Sequence, residues 1–141
     1  MTLRRTLACV GIALALAGCS SKEDRIAEHL AKGKAFLEQG ELDKASVEIR
    51  NVVQLDPKHA EAFIVSGKIE EARRDVRRAY SSYLKTIELD SANLEAKRRL
   101  ARIYLFARAL DKAEETADQV LAVVPDDSDA LAIKAALLVL K

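Results

Sequence analysis

Between residues 33 and 57 the chain reads GKAFLEQGELDKASVEIRNVVQLDP, with apolar side chains recurring at helical spacing on both sides of Gly40. The pattern predicts two amphipathic helices joined at Gly40, the second carrying Ala45 and closed by Pro57, which cannot continue a helix. Small residues fall where the two helices must cross closely. The pattern then returns twice at a fixed period, so that Gly33 falls on Gly67 and Ala101, Ala45 on Ala79 and Ala113, and Pro57 on Ser91 and Pro125. Helices are expected near 23–39, 43–55, 60–73, 76–89, 94–107, 110–123 and 128–140, with short connections between them. Ser21-Lys22-Glu23-Asp24 reads as a capping box for the first helix, and Asp127 or Ser128 as the N-cap of the last.

A helix–turn–helix period of this length, with aromatic, glycine, alanine and proline signatures in register, resembles the tetratricopeptide repeat (TPR). The first repeat, 26–59, supplies Gly33, Phe36, Gly40, Ala45, Ile49 and Pro57. The second, 60–93, supplies Phe63, Gly67, Ala79 and Tyr83, with Arg74 in place of the turn glycine and Ser91 in place of the proline. The third, 94–127, supplies Leu100, Ala101, Tyr104, Ala113 and Pro125, while Lys97 and Ala117 stand where larger signature residues belong. The resemblance implies an all-α fold, a TPR α-solenoid of antiparallel helix hairpins: three full repeats plus the first helix of a fourth, 128–141. Each repeat leaves an apolar face that its neighbour covers. The stretch 130–140, ALAIKAALLVL, carries only Lys134 as a charged residue and is too short to span a membrane. Two readings of it stay open: the array continues, or this helix meets a partner.

The N-terminus has a different pattern. Arg4 and Arg5 precede a short apolar run at 7–16 and then small residues, the three-part form of a secretory signal. Leu16-Ala17-Gly18-Cys19 resembles the lipobox of bacterial lipoproteins, which implies a signal peptide over 1–18, cleavage before Cys19 and a covalent lipid on Cys19. Ser20 after the cysteine, where such proteins carry Asp for inner-membrane retention, implies an outer-membrane lipoprotein facing the periplasm. Residues 19–25 form a short tether, which places the solenoid close to the bilayer. Cys9 leaves with the signal and Cys19 carries lipid, so the mature chain offers no thiol for a disulfide, metal or nucleophile.

Composition changes this picture little. Half the residues are hydrophobic, 4% are aromatic, and 23 basic residues nearly cancel 22 acidic ones, so no global field points to nucleic acid or membrane. The export signal argues against nucleic acid as well. His29 and His59 fit no metal-ligand spacing, and Asp126-Asp127-Ser128-Asp129 lacks the glycine and distal glutamate of a calcium loop. No phosphate-binding glycine loop is present. No metal, no cofactor beyond the lipid, and no enzymatic activity are expected.

Charge is informative only where it is local. Lys34, Lys68 and Arg102 hold one place in the first helix of each repeat, a full period apart. In tetratricopeptide proteins that part of the helix lines the concave groove where extended ligands lie, so the resemblance makes these cations, with Arg98 and Arg99, a ladder for carboxylates of a protein or peptide partner. Arg73, Arg74, Arg77 and Arg78 straddle a turn and read either as a solvated face tied to Glu70, Glu71 or Asp75, or as a contact for acidic headgroups or anionic glycan. The expectation is a lipid-anchored scaffold for protein–protein interaction in envelope assembly. The N-terminal order resembles that of repeat lipoproteins accompanying exosortase (PEP-CTERM) systems, which are linked to exopolysaccharide. Barrel-assembly or pilus-assembly (pilotin-like) lipoproteins are the alternative.

Overall fold

A computed structural model describes residues 21–140; the signal-like segment and Cys19 lie outside the described residues. Seven helices follow one another among these residues: α1 (Lys22–Glu38), α2 (Leu42–Leu55), α3 (Ala60–Ala72), α4 (Val76–Leu89), α5 (Leu94–Phe106), α6 (Leu110–Leu121) and α7 (Ser128–Leu140). Consecutive helices pack as antiparallel hairpins; α1 also meets α3 and α5 meets α7, while α3 and α5 are joined by the side-chain pairs Lys68–Glu95 and Glu71–Arg99. The fold is an all-helical solenoid.

The chain repeats its turn geometry as well as its helices. After α1, Gly40 takes φ +75°, and Gly40 N–H and Glu41 N–H donate to the carbonyls of Leu37 and Phe36. That is a Schellman closure, which satisfies the last carbonyls of the helix and needs a left-handed residue. The same pair of bonds closes α3 through Arg74 and Asp75, and α5 through Arg108 and Ala109. Arg74 and Arg108 therefore adopt φ +63° and +59°, conformations that side chains with a Cβ occupy only at a cost. Loss of the turn glycine in the later repeats leaves the turn unchanged and adds strain.

Helix starts show the same period. Ser21 and Asp24 form the expected capping box on α1. His59, Asn93 and Asp127, each one period after the last, accept the N–H three positions on, from Ala62, Ala96 and Ala130. Asp127, not Ser128, is the cap of α7.

Helix crossings are set by a pairing of sizes. A Cβ on Gly33 would lie 2.6 Å from Ile49 Cδ1, and one on Gly67 would lie closer still to Tyr83 Cε1. In the third hairpin the equivalent positions hold Ala101 and Ala117, both fully buried. Glycine faces a large side chain and alanine faces a small one, so each crossing is filled by a size-matched pair while its chemistry changes. Ala117 is thus a volume match to Ala101.

The core is divided accordingly. One cluster joins Leu30, Ile49 and Val52 to Val65 and Ile69 of the next hairpin; a second is built on Ile64, Tyr83 and Leu100; a third joins Ala101, Ala117 and Val120 to Ile133 and Leu137. Each spans one hairpin and the first helix of its successor, the nearest-neighbour arrangement of a solenoid. On α7 the outward side remains bare: Leu138 and Val139 are each 85% exposed. They hold the register of Phe36 and Leu37, which α1 packs against its core. No helix among the described residues is long and apolar enough to cross a membrane.

Candidate functional site

The row of first helices lines an open groove of about 760 Å³. Its floor is apolar, made by Leu37 of α1 and by Ala60, Ile64 and Val65 of α3. Its walls are charged. Lys34 and Glu38 come from α1, Glu61 and Lys68 from α3, Glu95 from α5, and Asp90 and Asn93 from the turn between α4 and α5. The placement follows from helical spacing, since positions three and four apart share one face of α1 and α3.

Of the five cations singled out from the sequence, Lys34 and Lys68 line this groove, while Arg98, Arg99 and Arg102 are not among its lining residues; all five are paired within the chain. Lys34 binds Glu61, Lys68 Nζ lies 2.6 Å from Glu95 Oε1, and Arg102 lies 3.3 Å from Asp129 Oδ2. Each pair runs from the first helix of one hairpin to the first turn of the next first helix. The acids Glu61, Glu95 and Asp129 repeat with the same period as the cations, always at one fixed offset after them. That spacing was present in the sequence and is the signal that identifies the partners. Being roughly a third to a half exposed, such pairs fix register more than they add stability, at about 0–1 kcal/mol each.

Arg98, Arg99 and Arg73 also bridge hairpins. Arg98 Nε donates to Asp127 Oδ2 at 2.7 Å, so one carboxylate caps α7 with its other oxygen and holds Arg98 with this one. Arg99 reaches back to Glu71 at 2.7 Å and lies 3.7 Å from Glu95. Arg73 donates to Asp43 at 2.6 Å and to the Leu42 carbonyl, while also contacting Glu70. Arg78 pairs with Asp75, the cap of α4. Of the four arginines at this turn, Arg74 and Arg77 are exposed and make no ion pair among the described residues, and Arg74 serves the left-handed turn. His29 Nδ1 contacts Glu48 at 2.6 Å, and His59 caps α3. Among the described residues no three His, Cys, Asp or Glu side chains gather as metal donors.

Two tyrosines of α4 and α5 have shifted phenols. Tyr83 is fully buried, and burial pushes its phenol above the ordinary range. Tyr104 meets Tyr80 edge-on at 5.8 Å, and burial pushes its pKa up to about 12.

Comparison with known proteins is consistent with this architecture. A model of the tetratricopeptide repeat family matches residues 66–137, just over half of the chain. The chain is 24% identical over 97 residues to anaphase-promoting complex subunit 3 of Schizosaccharomyces pombe; the match covers 69% of this chain and only 15% of that protein's length. Among solved structures, the second TPR domain of human RPAP3 in complex with the HSP70 peptide SGPTIEEVD superposes with a TM-score of 0.74 at 16% identity, covering 83% of this chain and 98% of that one. Pseudomonas aeruginosa pilF gives a TM-score of 0.71 at 16% identity over 82% of this chain and 53% of that one. With its repeated hairpins, its size-matched crossings and a family match over more than half its length, this chain belongs to the tetratricopeptide repeat family.

Proposed function

We propose that this chain is a lipid-anchored scaffold of the bacterial cell envelope whose groove holds a segment of a partner protein. The observation that carries the reading is the groove itself, an apolar floor between charged walls on the row of first helices. A related fold, the RPAP3 domain, holds a peptide. The groove offers hydrophobic area for affinity and polar rims for register, which suits an extended segment better than a small metabolite. The protein acts by placement: lipid fixes where it works, and the repeats fix what it holds.

Support for the anchor comes from the sequence, in the lipobox-like Leu16-Ala17-Gly18-Cys19 and the charged, then apolar, segment before it. Only Ser20 and Ser21 lie between Cys19 and the start of α1, so an acylated Cys19 holds the array against the bilayer surface. Ser20 favours the outer membrane and a periplasmic orientation. Within the envelope the reading extends to exopolysaccharide and PEP-CTERM sorting systems on the strength of the N-terminal order, with pilus assembly as the nearest alternative.

A photo-cross-linking residue at position 60 is expected to trap a discrete envelope protein, and the same residue at position 85, on α4 outside the groove, is expected to trap none. Cys19→Ser is expected to remove the acyl mass and release the chain from the membrane fraction. Equal trapping at both positions would overturn groove capture; retention of Cys19→Ser on membranes would overturn the anchor.

A further inference from the structure

We infer that the groove selects a segment whose apolar side chain is flanked by lysine or arginine, and rejects an acidic one. The inference rests on the groove being the capture site and concerns what it captures. Four carboxylates line it, from Glu38, Glu61, Asp90 and Glu95, against two ammonium groups, from Lys34 and Lys68. Both ammonium groups are occupied within the chain, Lys34 by Glu61 and Lys68 by Glu95. Glu38 and Asp90 form no ion pair with any described residue, and they leave the groove with excess negative charge.

Asp90 is also fixed in place. Its Oδ1 accepts the Ala92 N–H at 3.1 Å and its Oδ2 accepts from Asn93 Nδ2 at 3.0 Å. These neutral donors orient the carboxylate without compensating its charge, and each oxygen keeps a lone pair for a further donor. An incoming lysine or arginine pairs with Glu38 or Asp90 and breaks nothing. An incoming carboxylate at Lys34 or Lys68 must share the ammonium with Glu61 or Glu95 and sits beside that anion, a like-charge contact that lysine or arginine avoids. Leu37, Ile64 and Val65 beneath these charges supply the floor for the apolar side chain. The peptide SGPTIEEVD held by the RPAP3 domain is acidic; the charge balance here asks for the opposite sign.

The test uses two fluorescent peptides of equal length and identical leucine spacing, one carrying lysines and the other glutamates. Each is titrated against the full chain in detergent at low and high salt, and amide shifts at Ala60, Ile64 and Lys68 locate the contact. The lysine peptide is expected to bind about tenfold more tightly, with the preference shrinking as salt screens the walls. Glu38→Gln with Asp90→Asn is expected to narrow that preference by about fivefold; the amide oxygen introduced at position 90 still accepts the Ala92 N–H, while the bond from Asn93 Nδ2 is given up. A glutamate peptide that binds as tightly while shifting the same amides would overturn the charge assignment and leave groove capture standing. An unchanged preference in the double variant would also overturn it. If neither peptide moves those amides, groove capture itself fails.

Discussion

At the scale of single residues the molecule turns on a few contacts that leave no room. Gly67 faces the ring of Tyr83, and three ring atoms would lie within 2.8 Å of an added methyl. A ring held in the core cannot fold away, so Gly67→Ala is expected to destabilise by about 1–3 kcal/mol in denaturant unfolding. At Gly33 the nearest atom is the end of the flexible Ile49 side chain, and Gly33→Ala should cost less. The third hairpin states the remedy, because Ala101 there faces Ala117. Adding Tyr83→Ala to Gly67→Ala should therefore cost less than the sum of the two single changes. Strict additivity in this double-mutant cycle would contradict the size-matching account.

Elements are defined here by how they end. Three first helices close through the same left-handed turn, at Gly40, Arg74 and Arg108. The positive φ forces a Cβ-bearing residue into a conformation that costs roughly 1–2 kcal/mol, partly offset by the greater freedom glycine has when unfolded. Arg74→Gly and Arg108→Gly are each expected to raise stability by about 0.5–1 kcal/mol, read as a higher denaturation midpoint at constant slope. Neither arginine makes an ion pair with a described residue, so nothing else is lost there. A lower midpoint would show that the side chains contribute more than the turn costs.

For the whole molecule, stability accumulates from neighbour to neighbour, and the centre of the array should report on global unfolding. Tyr83 and Tyr104 sit there with phenol pKa values raised by burial, Tyr104 to about 12. A raised phenol pKa means that the folded chain keeps a proton that the unfolded chain has already released. The associated stability is complete below about pH 10 and is lost as pH rises through the folded value. Alkaline unfolding should therefore begin above about pH 10, with tyrosinate absorbance rising together with the loss of helical circular dichroism. Ionisation of all three tyrosines near the ordinary phenol value with helicity intact would refute this.

The sequence by itself determined the repeat: the period, the helix positions to within two residues, and the small residues at crossings were readable because apolar spacing and steric size are properties of position along one chain. It also marked Lys34, Lys68 and Arg102 as equivalent, and it carried the answering period of Glu61, Glu95 and Asp129. Only the tertiary structure decided that these two series meet. Pairing across hairpins depends on how one helix is rotated and offset against the next, and many combinations of 23 basic and 22 acidic residues fit the sequence alone. The same holds for the volume match of Ala117 with Ala101 and for the unpaired charge of Glu38 and Asp90 in the groove. Each is a relation between residues far apart in the chain, and distance between such residues exists only once the helices have packed.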